Sequence, residues 1–130
     1  MQNAEIVQAF YDALGQGDLE AAATCLSADV VWDTSARGAD GTVVYGAEGV
    51  IDVIRDWLEV WEDVSFHVRE IRDARDQAAG HVRQHARGRV SGVRGAVDAF
   101  ATFKLGDGKI AAYREYSTWS AALEAVGLEA

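Results

Sequence analysis

A mixed α+β fold, with helices first and a mostly antiparallel sheet after them, follows from three features of the sequence. Apolar residues recur at helical spacing as far as Glu62, and from Val64 onward the period changes to two. The period-two region is interrupted only by short turn-forming stretches, Asp73-Ala74-Arg75-Asp76, Ser91-Gly92 and Gly106-Asp107-Gly108. Hydrophobic residues make up 49% of the 130, so a packed core is expected rather than disorder. Helices followed by a run of strands pack as α+β with antiparallel neighbours. One domain covering residues 1–130 is the expectation, and no internal repeat or low-complexity segment is visible.

Asn3 to Leu14 carries Ile6, Val7, Phe10, Tyr11 and Leu14 on one helical stripe, with Asn3 as the expected N-cap. Gly15-Gln16-Gly17 ends it. Asp18 caps a shorter helix that buries Leu19, Ala22, Ala23 and Leu26. Ser27-Ala28-Asp29 breaks the pattern, and Val30-Val31-Trp32-Asp33 reads as a short strand. Ser35 to Thr42 is polar and contains glycine, so it reads as a connecting loop and a candidate lid. A third helix is expected over 47–62, with Val50, Val53, Ile54, Trp57, Leu58 and Trp61 forming a broad apolar face. Trp57 and Trp61, at i and i+4, read as core packing, the alternative being that one of them walls a ligand cavity. Four strands are expected over 64–72, 77–90, 93–105 and 109–118, followed by a helical segment over 119–126 that Gly127 stops.

The charge balance excludes several classes of partner. Twelve basic residues against 21 acidic ones give a net charge of −9, which disfavours nucleic acid and anionic membrane. Met1-Gln2-Asn3-Ala4-Glu5 lacks the basic and apolar regions of a signal peptide, and no apolar run is long enough to cross a bilayer. Cys25 is the single cysteine, so no intrachain disulfide can form, and a cytoplasmic protein is the default expectation. Cys25 lies on a predicted helix and reads as a small buried residue rather than a nucleophile. His81 and His85 lie four residues apart on a strand, roughly 13 Å, too far to share one zinc. His67 is placed to approach His81 across a hairpin without a third ligand, so no metal site is expected. No phosphate-binding loop or dinucleotide fingerprint is present.

The best chemical clue lies on the last predicted strand. Alternation puts Tyr113, Glu115 and Ser117 on one face and Ala112, Arg114 and Tyr116 on the other. If Glu115 is on the covered face, it is a lone carboxylate among aromatic and apolar groups, suited to proton transfer as a general acid or base. On the strand over 77–90, His81, Arg83, His85, Arg87 and Arg89 share a face that reads as solvent- or subunit-facing, balanced by acids on neighbouring strands. Val82, Gln84 and Ala86 then face the core, Gln84 being the polar group among them. Trp32 and Thr34 share one face of the first strand, and Asp33 takes the other. Asp98 reads as exposed, because Val97, Ala99, Ala101, Phe103 and Leu105 form the inward set.

The order of elements and several motifs resemble one family. Phe10-Tyr11-Asp12-Ala13-Leu14, Gly17-Asp18-Leu19-Glu20-Ala21 and Ala28-Asp29-Val30-Val31-Trp32 are similar to the opening of SnoaL-like proteins, members of the nuclear transport factor 2-like superfamily. Tyr45-Gly46-Ala47-Glu48-Gly49-Val50 is similar to the family's entry into its third helix. Gly108-Lys109-Ile110, Arg114-Glu115-Tyr116 and the stretch from Ala121 to Leu128 are similar to its ending. The resemblance spans nearly the whole chain and is specific for fold rather than activity. It implies a cone in which a strongly curved sheet wraps the N-terminal helices and leaves a deep pocket, and it implies homodimers through the outer sheet face. It places Glu115 where polyketide cyclases have a catalytic aspartate and where limonene epoxide hydrolase has one of two. That hydrolase's second aspartate and its arginine correspond to Gln84 and Val82, and its water-holding tyrosine and asparagine to Trp32 and Thr34. Ketosteroid isomerase's base falls at Thr34, beside Asp33, and its oxyanion donors near Phe10 and Ala101.

The expected site therefore has Glu115 as the catalytic group. Trp32, Thr34, Tyr45, Trp57, Trp61, Gln84, Tyr113, Phe10 and Phe103 are the expected substrate-binding residues. The expected ligand is a small apolar molecule, and neither a cofactor nor a metal is called for. The expected activity is a cofactor-independent isomerase, cyclase or lyase acting on an apolar carbonyl compound. The alternative is a protein of the same fold that binds such a molecule without transforming it.

Overall fold

The computed structural model describes residues 2–129. Six strands form one sheet in the order β2-β1-β6-β5-β4-β3, and four helices accompany it. Helix α1 covers Asn3–Gly15 and α2 covers Leu19–Thr24; β1 covers Leu26–Asp33 and β2 covers Val43–Tyr45. Helix α3 is Ala47–Val60, and β3, β4, β5 and β6 are Trp61–Ala74, Gln77–Gly88, Arg94–Gly106 and Lys109–Tyr116. Helix α4, Trp119–Ala125, closes the described chain. The sheet is antiparallel except where β1 runs parallel to β6. This is the predicted α+β class, with a curved sheet around the N-terminal helices.

Local chemistry accounts for most of the boundaries. Asp18 caps α2 by accepting the backbone N–H of Ala21 at 3.0 Å. The cap of helix α1 lies one residue earlier than expected: Gln2 is the N-cap, Asn3 is the first helical residue, and the Asn3 amide donates to the carbonyl of Arg75 at 2.7 Å, tying the helix to the β3–β4 turn. The β5–β6 hairpin turns on Asp107 and Gly108, both at positive φ (54° and 74°), the pair of angles that a tight two-residue hairpin demands. Among the described residues no helix is long and apolar enough to cross a membrane.

Four local expectations are corrected. The chain leaves α3 at Val60, and Trp61 is already extended (φ −116°, ψ 147°), so the two tryptophans lie on consecutive elements rather than one helix. Leu26 starts β1 rather than ending α2. The expected loop contains a 3₁₀ segment, Ser35–Asp40, followed by the short strand β2. His67 stands opposite Arg83, while His81 faces Glu70, so the two histidines do not meet across the hairpin.

The core lies between α1, α3 and the concave face of the sheet, with Val7, Phe10, Leu26, Val30, Val50, Val82, Phe103, Ile110 and Tyr113 fully buried. On the convex face, Asp98 is exposed and accepts from Arg83 at 2.8 Å and pairs with His81 at 2.9 Å. Arg87 and Arg89 pair with Glu62. The basic ribbon is thus matched by acids on β3 and β5.

Candidate functional site

The site is built on β6. Tyr113 and Glu115 both face inward, and both are nearly inaccessible, at 2% and 7% exposure. Neighbouring strands hold them in register: Glu115 stands opposite Ala101 and Tyr113 opposite Phe103 on β5, and Tyr113 opposite Trp32 on β1. The indole of Trp32 stacks on the Tyr113 ring, with centroids 3.8 Å apart and planes 11° from parallel. The aromatic stack fixes the Tyr113 hydroxyl, which donates to Glu115 Oε2.

Arg37, from the 3₁₀ segment, completes the arrangement. Its Nε donates to Glu115 Oε1 and its Nη2 to Oε2, each at 2.6 Å. This is a two-pronged, charge-assisted pair, the strongest geometry that an arginine and a carboxylate form. The pairing pushes Arg37 further above its already high range. The Arg37 side chain remains 45% exposed, so the pair joins a solvent-facing cation to a sheltered anion. Tyr11, from α1, lies beside Tyr113. Burial, and after it the charge of Glu115, pushes the Tyr11 phenol well above its ordinary range. Burial, with Tyr11 the next contribution, does the same to Tyr113. Both hydroxyls are therefore neutral donors at ordinary pH.

The segment that carries Arg37 is pinched at its base. Thr34 N–H donates to the Thr42 carbonyl at 2.8 Å, and Thr42 N–H donates to Thr34 Oγ1 at 3.0 Å. A side chain at Gly41 would place its Cβ 2.1 Å from the Thr34 carbonyl, so only glycine allows the two ends to meet. Between them the backbone breaks at Gly38 (φ 72°, ψ −126°), and residues 35–40 are exposed. Asp33 faces away from the site and accepts from Ser35 Oγ and N–H at 2.6 and 2.9 Å, contacts that hold its carboxyl below the usual range.

Two cavities meet at Arg37. The outer one, about 560 Å³, is lined by Trp61, Ala86, Val97, Ala99 and Glu115 among others. The inner one, about 390 Å³, is lined by Tyr11, Trp32, Ile54, Phe66 and Tyr113 among others. Arg37, Asp40, Trp57 and Gln84 line both. Arg37 is the one cation among the described residues that line either cavity. Among the described residues no group of three or more His, Cys, Asp or Glu side chains is placed to hold a metal ion.

The fold therefore brings Glu115, Trp32, Thr34, Trp57, Trp61, Gln84 and Tyr113 to the cavity walls, with Thr34 at the pinch of the loop. Three expected ligand contacts are corrected. Tyr45 is 73% exposed, on a strand at the sheet edge away from both cavities. Phe10 and Phe103 are fully buried and line neither; Phe10 packs on Trp32 and Phe103 edge-on against Tyr113, so both support the wall from behind. Sequence reasoning missed Arg37 and Tyr11. Tyr11 was legible as the neighbour of Phe10 on the same helix face. For Arg37 the available signal was a lone arginine in the candidate lid together with an inward glutamate that required a partner.

The SnoaL-like domain profile matches residues 7–113. The chain belongs to the SnoaL-like family. Solved structures share the fold. A hypothetical protein from Catenulispora acidiphila with a ketosteroid isomerase-like fold, solved with trimethylamine, is 20% identical over 98% of this chain and 95% of its own, with a TM-score of 0.79. A candidate SnoaL-like polyketide cyclase from Mesorhizobium loti is 25% identical over 89% of this chain and 99% of its own, with a TM-score of 0.65. A Mycobacterium tuberculosis protein solved with estradiol-17β-hemisuccinate is 19% identical over 88% and 92%, with a TM-score of 0.74. No curated protein matches the sequence.

Proposed function

We propose that this SnoaL-like chain is a cofactor-independent isomerase, cyclase or lyase that acts on a small, mostly apolar carbonyl compound, with Glu115 as its general base and acid. One observation carries the reading: Glu115 is sheltered on a strand paired on both sides and lines one of two aromatic-walled cavities that meet at Arg37, with two donors, Arg37 and Tyr113, already converging on it. A carbonyl oxygen placed against those donors brings its α-carbon beside Glu115. The α C–H bond breaks, its proton goes to a carboxylate oxygen, and the electron pair enters the enolate. The developing oxygen charge is met by the guanidinium and the neutral Tyr113 hydroxyl. The same carboxyl then returns the proton to a different carbon, or the enolate attacks a second carbonyl within the molecule and the resulting alkoxide takes the proton back from Glu115, or the enolate expels a β-hydroxyl that leaves as water with that proton. The ligands named for the Catenulispora and Mycobacterium structures support a cavity in this fold that holds small organic molecules.

A second reading, ligand binding without catalysis, is favoured by one detail. Glu115 accepts three hydrogen bonds from Arg37 and Tyr113, so it abstracts no proton until one donor moves. Exchange of α-protons for deuterium in D₂O separates the two readings without knowledge of the natural product. Wild-type protein is expected to accelerate exchange in cyclic ketones, and Glu115→Gln to lose that acceleration by about 10²-fold or more. Equal exchange by the variant would sink the base assignment. Tight binding of the ketones with no exchange would establish the second reading.

A further inference from the structure

We infer that Arg37 is a latch, and that the ligand which opens it carries a carboxylate or another planar oxyanion in addition to its carbonyl. The inference rests on the acid–base reading of Glu115 and names the substrate class of that site. The latch follows from how Arg37 is held. Its guanidinium grips Glu115 with two 2.6 Å hydrogen bonds, yet its backbone belongs to an exposed segment fixed at residues 34 and 42 and broken at Gly38. Glu115, in contrast, sits on a strand paired on both sides. When the pair separates, it is therefore the arginine that moves.

The ligand class follows from what can compete for that arginine. A ketone oxygen is a single neutral acceptor, whereas the Glu115 carboxylate offers two charged oxygens matched to the guanidinium fork. A neutral ketone thus opens the latch less often than an anion does, and its exchange is correspondingly slower. A ligand carboxylate presents the same two-pronged geometry and exchanges with Glu115 on nearly equal terms. Arg37 lines both cavities, so it can hold an anion seated in the inner one while the ketone α-carbon lies against Glu115, which lines the outer one. No other cation among the described lining residues offers that contact. Once Arg37 has moved to the ligand, Glu115 is free to take a proton; the guanidinium N–H groups not used on the carboxylate and the Tyr113 hydroxyl, released as Glu115 is neutralised, meet the enolate oxygen.

The test uses a matched pair of probes, 4-(4-oxocyclohexyl)benzoate and its methyl ester, with binding measured by calorimetry and α-proton exchange in D₂O measured by NMR. In the wild type the acid is expected to bind about tenfold or more tightly than the ester, the factor that 1.4 kcal/mol of preference gives, and to exchange faster. In Arg37→Gln the binding preference disappears, and the ester exchanges faster than it does in the wild type, because the base is already free. Arg37→Lys, which keeps the charge and loses the fork, retains only part of the preference and guards against a folding defect in the first variant. Equal binding of the two probes by the wild type, or an acid preference that survives Arg37→Gln, would overturn the latch. If neither probe exchanges with any protein while the preference still depends on Arg37, the latch stands and the base reading fails.

Discussion

The Arg37–Glu115 pair has an energetic signature that a double-mutant cycle reads directly. Glu115 is 7% exposed and Arg37 45% exposed, so the pair lies between the buried and surface limits. Removing one member of a fully buried pair costs about 3–5 kcal/mol, and an exposed pair contributes about 0.2–1 kcal/mol. Arg37→Gln strands a sheltered carboxylate with only Tyr113 as a donor, and we expect it to cost about 2 kcal/mol once the solvent side of the arginine is discounted. Glu115→Gln keeps the shape and leaves an arginine that can turn into water, so about 1 kcal/mol is expected. The double variant should cost less than the sum of the singles by about 1–2 kcal/mol, the coupling of two charged groups in contact. For a chain of this length Arg37→Gln then lowers Tm by about 6–10 °C. The assay is urea unfolding followed by tryptophan fluorescence, with a shared m-value across the four proteins. A coupling below about 0.3 kcal/mol would mean that the pair is a solvated surface contact, and the physical basis of the latch would be gone.

Two further perturbations probe the walls of the site. Gly80→Ala places a Cβ 2.9 Å from Cε1 of Phe103, which is fully buried and supports Tyr113 from behind, so a loss of about 1–3 kcal/mol is expected from the same urea titration, and a neutral result would mean that the wall is loosely packed. Tyr11 and Tyr113 have folded-state values raised above the unfolded one, so their contribution to stability is complete below about pH 10 and is lost as pH rises beyond it. Unfolding free energy should therefore fall between pH 10 and 11 in the wild type and fall less in the Tyr11→Phe, Tyr113→Phe double variant; parallel curves would contradict the burial of the two phenols.

The element order was legible because the hydrophobic period turns from helical spacing to two after α3 and stays there through β6, and because Gly106-Asp107-Gly108 dictates a tight hairpin. Boundaries failed where period and backbone part company. Trp61 continues the helical spacing of Trp57, yet its backbone is extended, since an aromatic residue suits both patterns. Strand β2 is three residues long, too short for any alternation to show. That Glu115 shares a face with Tyr113 followed from alternation, because strand side chains have a fixed period; alternation alone did not say which face is covered, and the inward aim was an implication of the family resemblance. Arg37 was not legible as a site residue: it lies in a segment without periodicity, and its partner is 78 positions away. Phe10 and Phe103 were placed too close to the ligand because an inward position on a helix or strand does not separate the cavity wall from the layer behind it.

A crystal structure of the wild-type protein with 4-(4-oxocyclohexyl)benzoate tests the account most directly. The Arg37 guanidinium is expected on the ligand's carboxylate, with Glu115 released from it and a ketone α-carbon about 3–3.5 Å from a Glu115 oxygen. A bound ligand with Arg37 still forked onto Glu115 would contradict it.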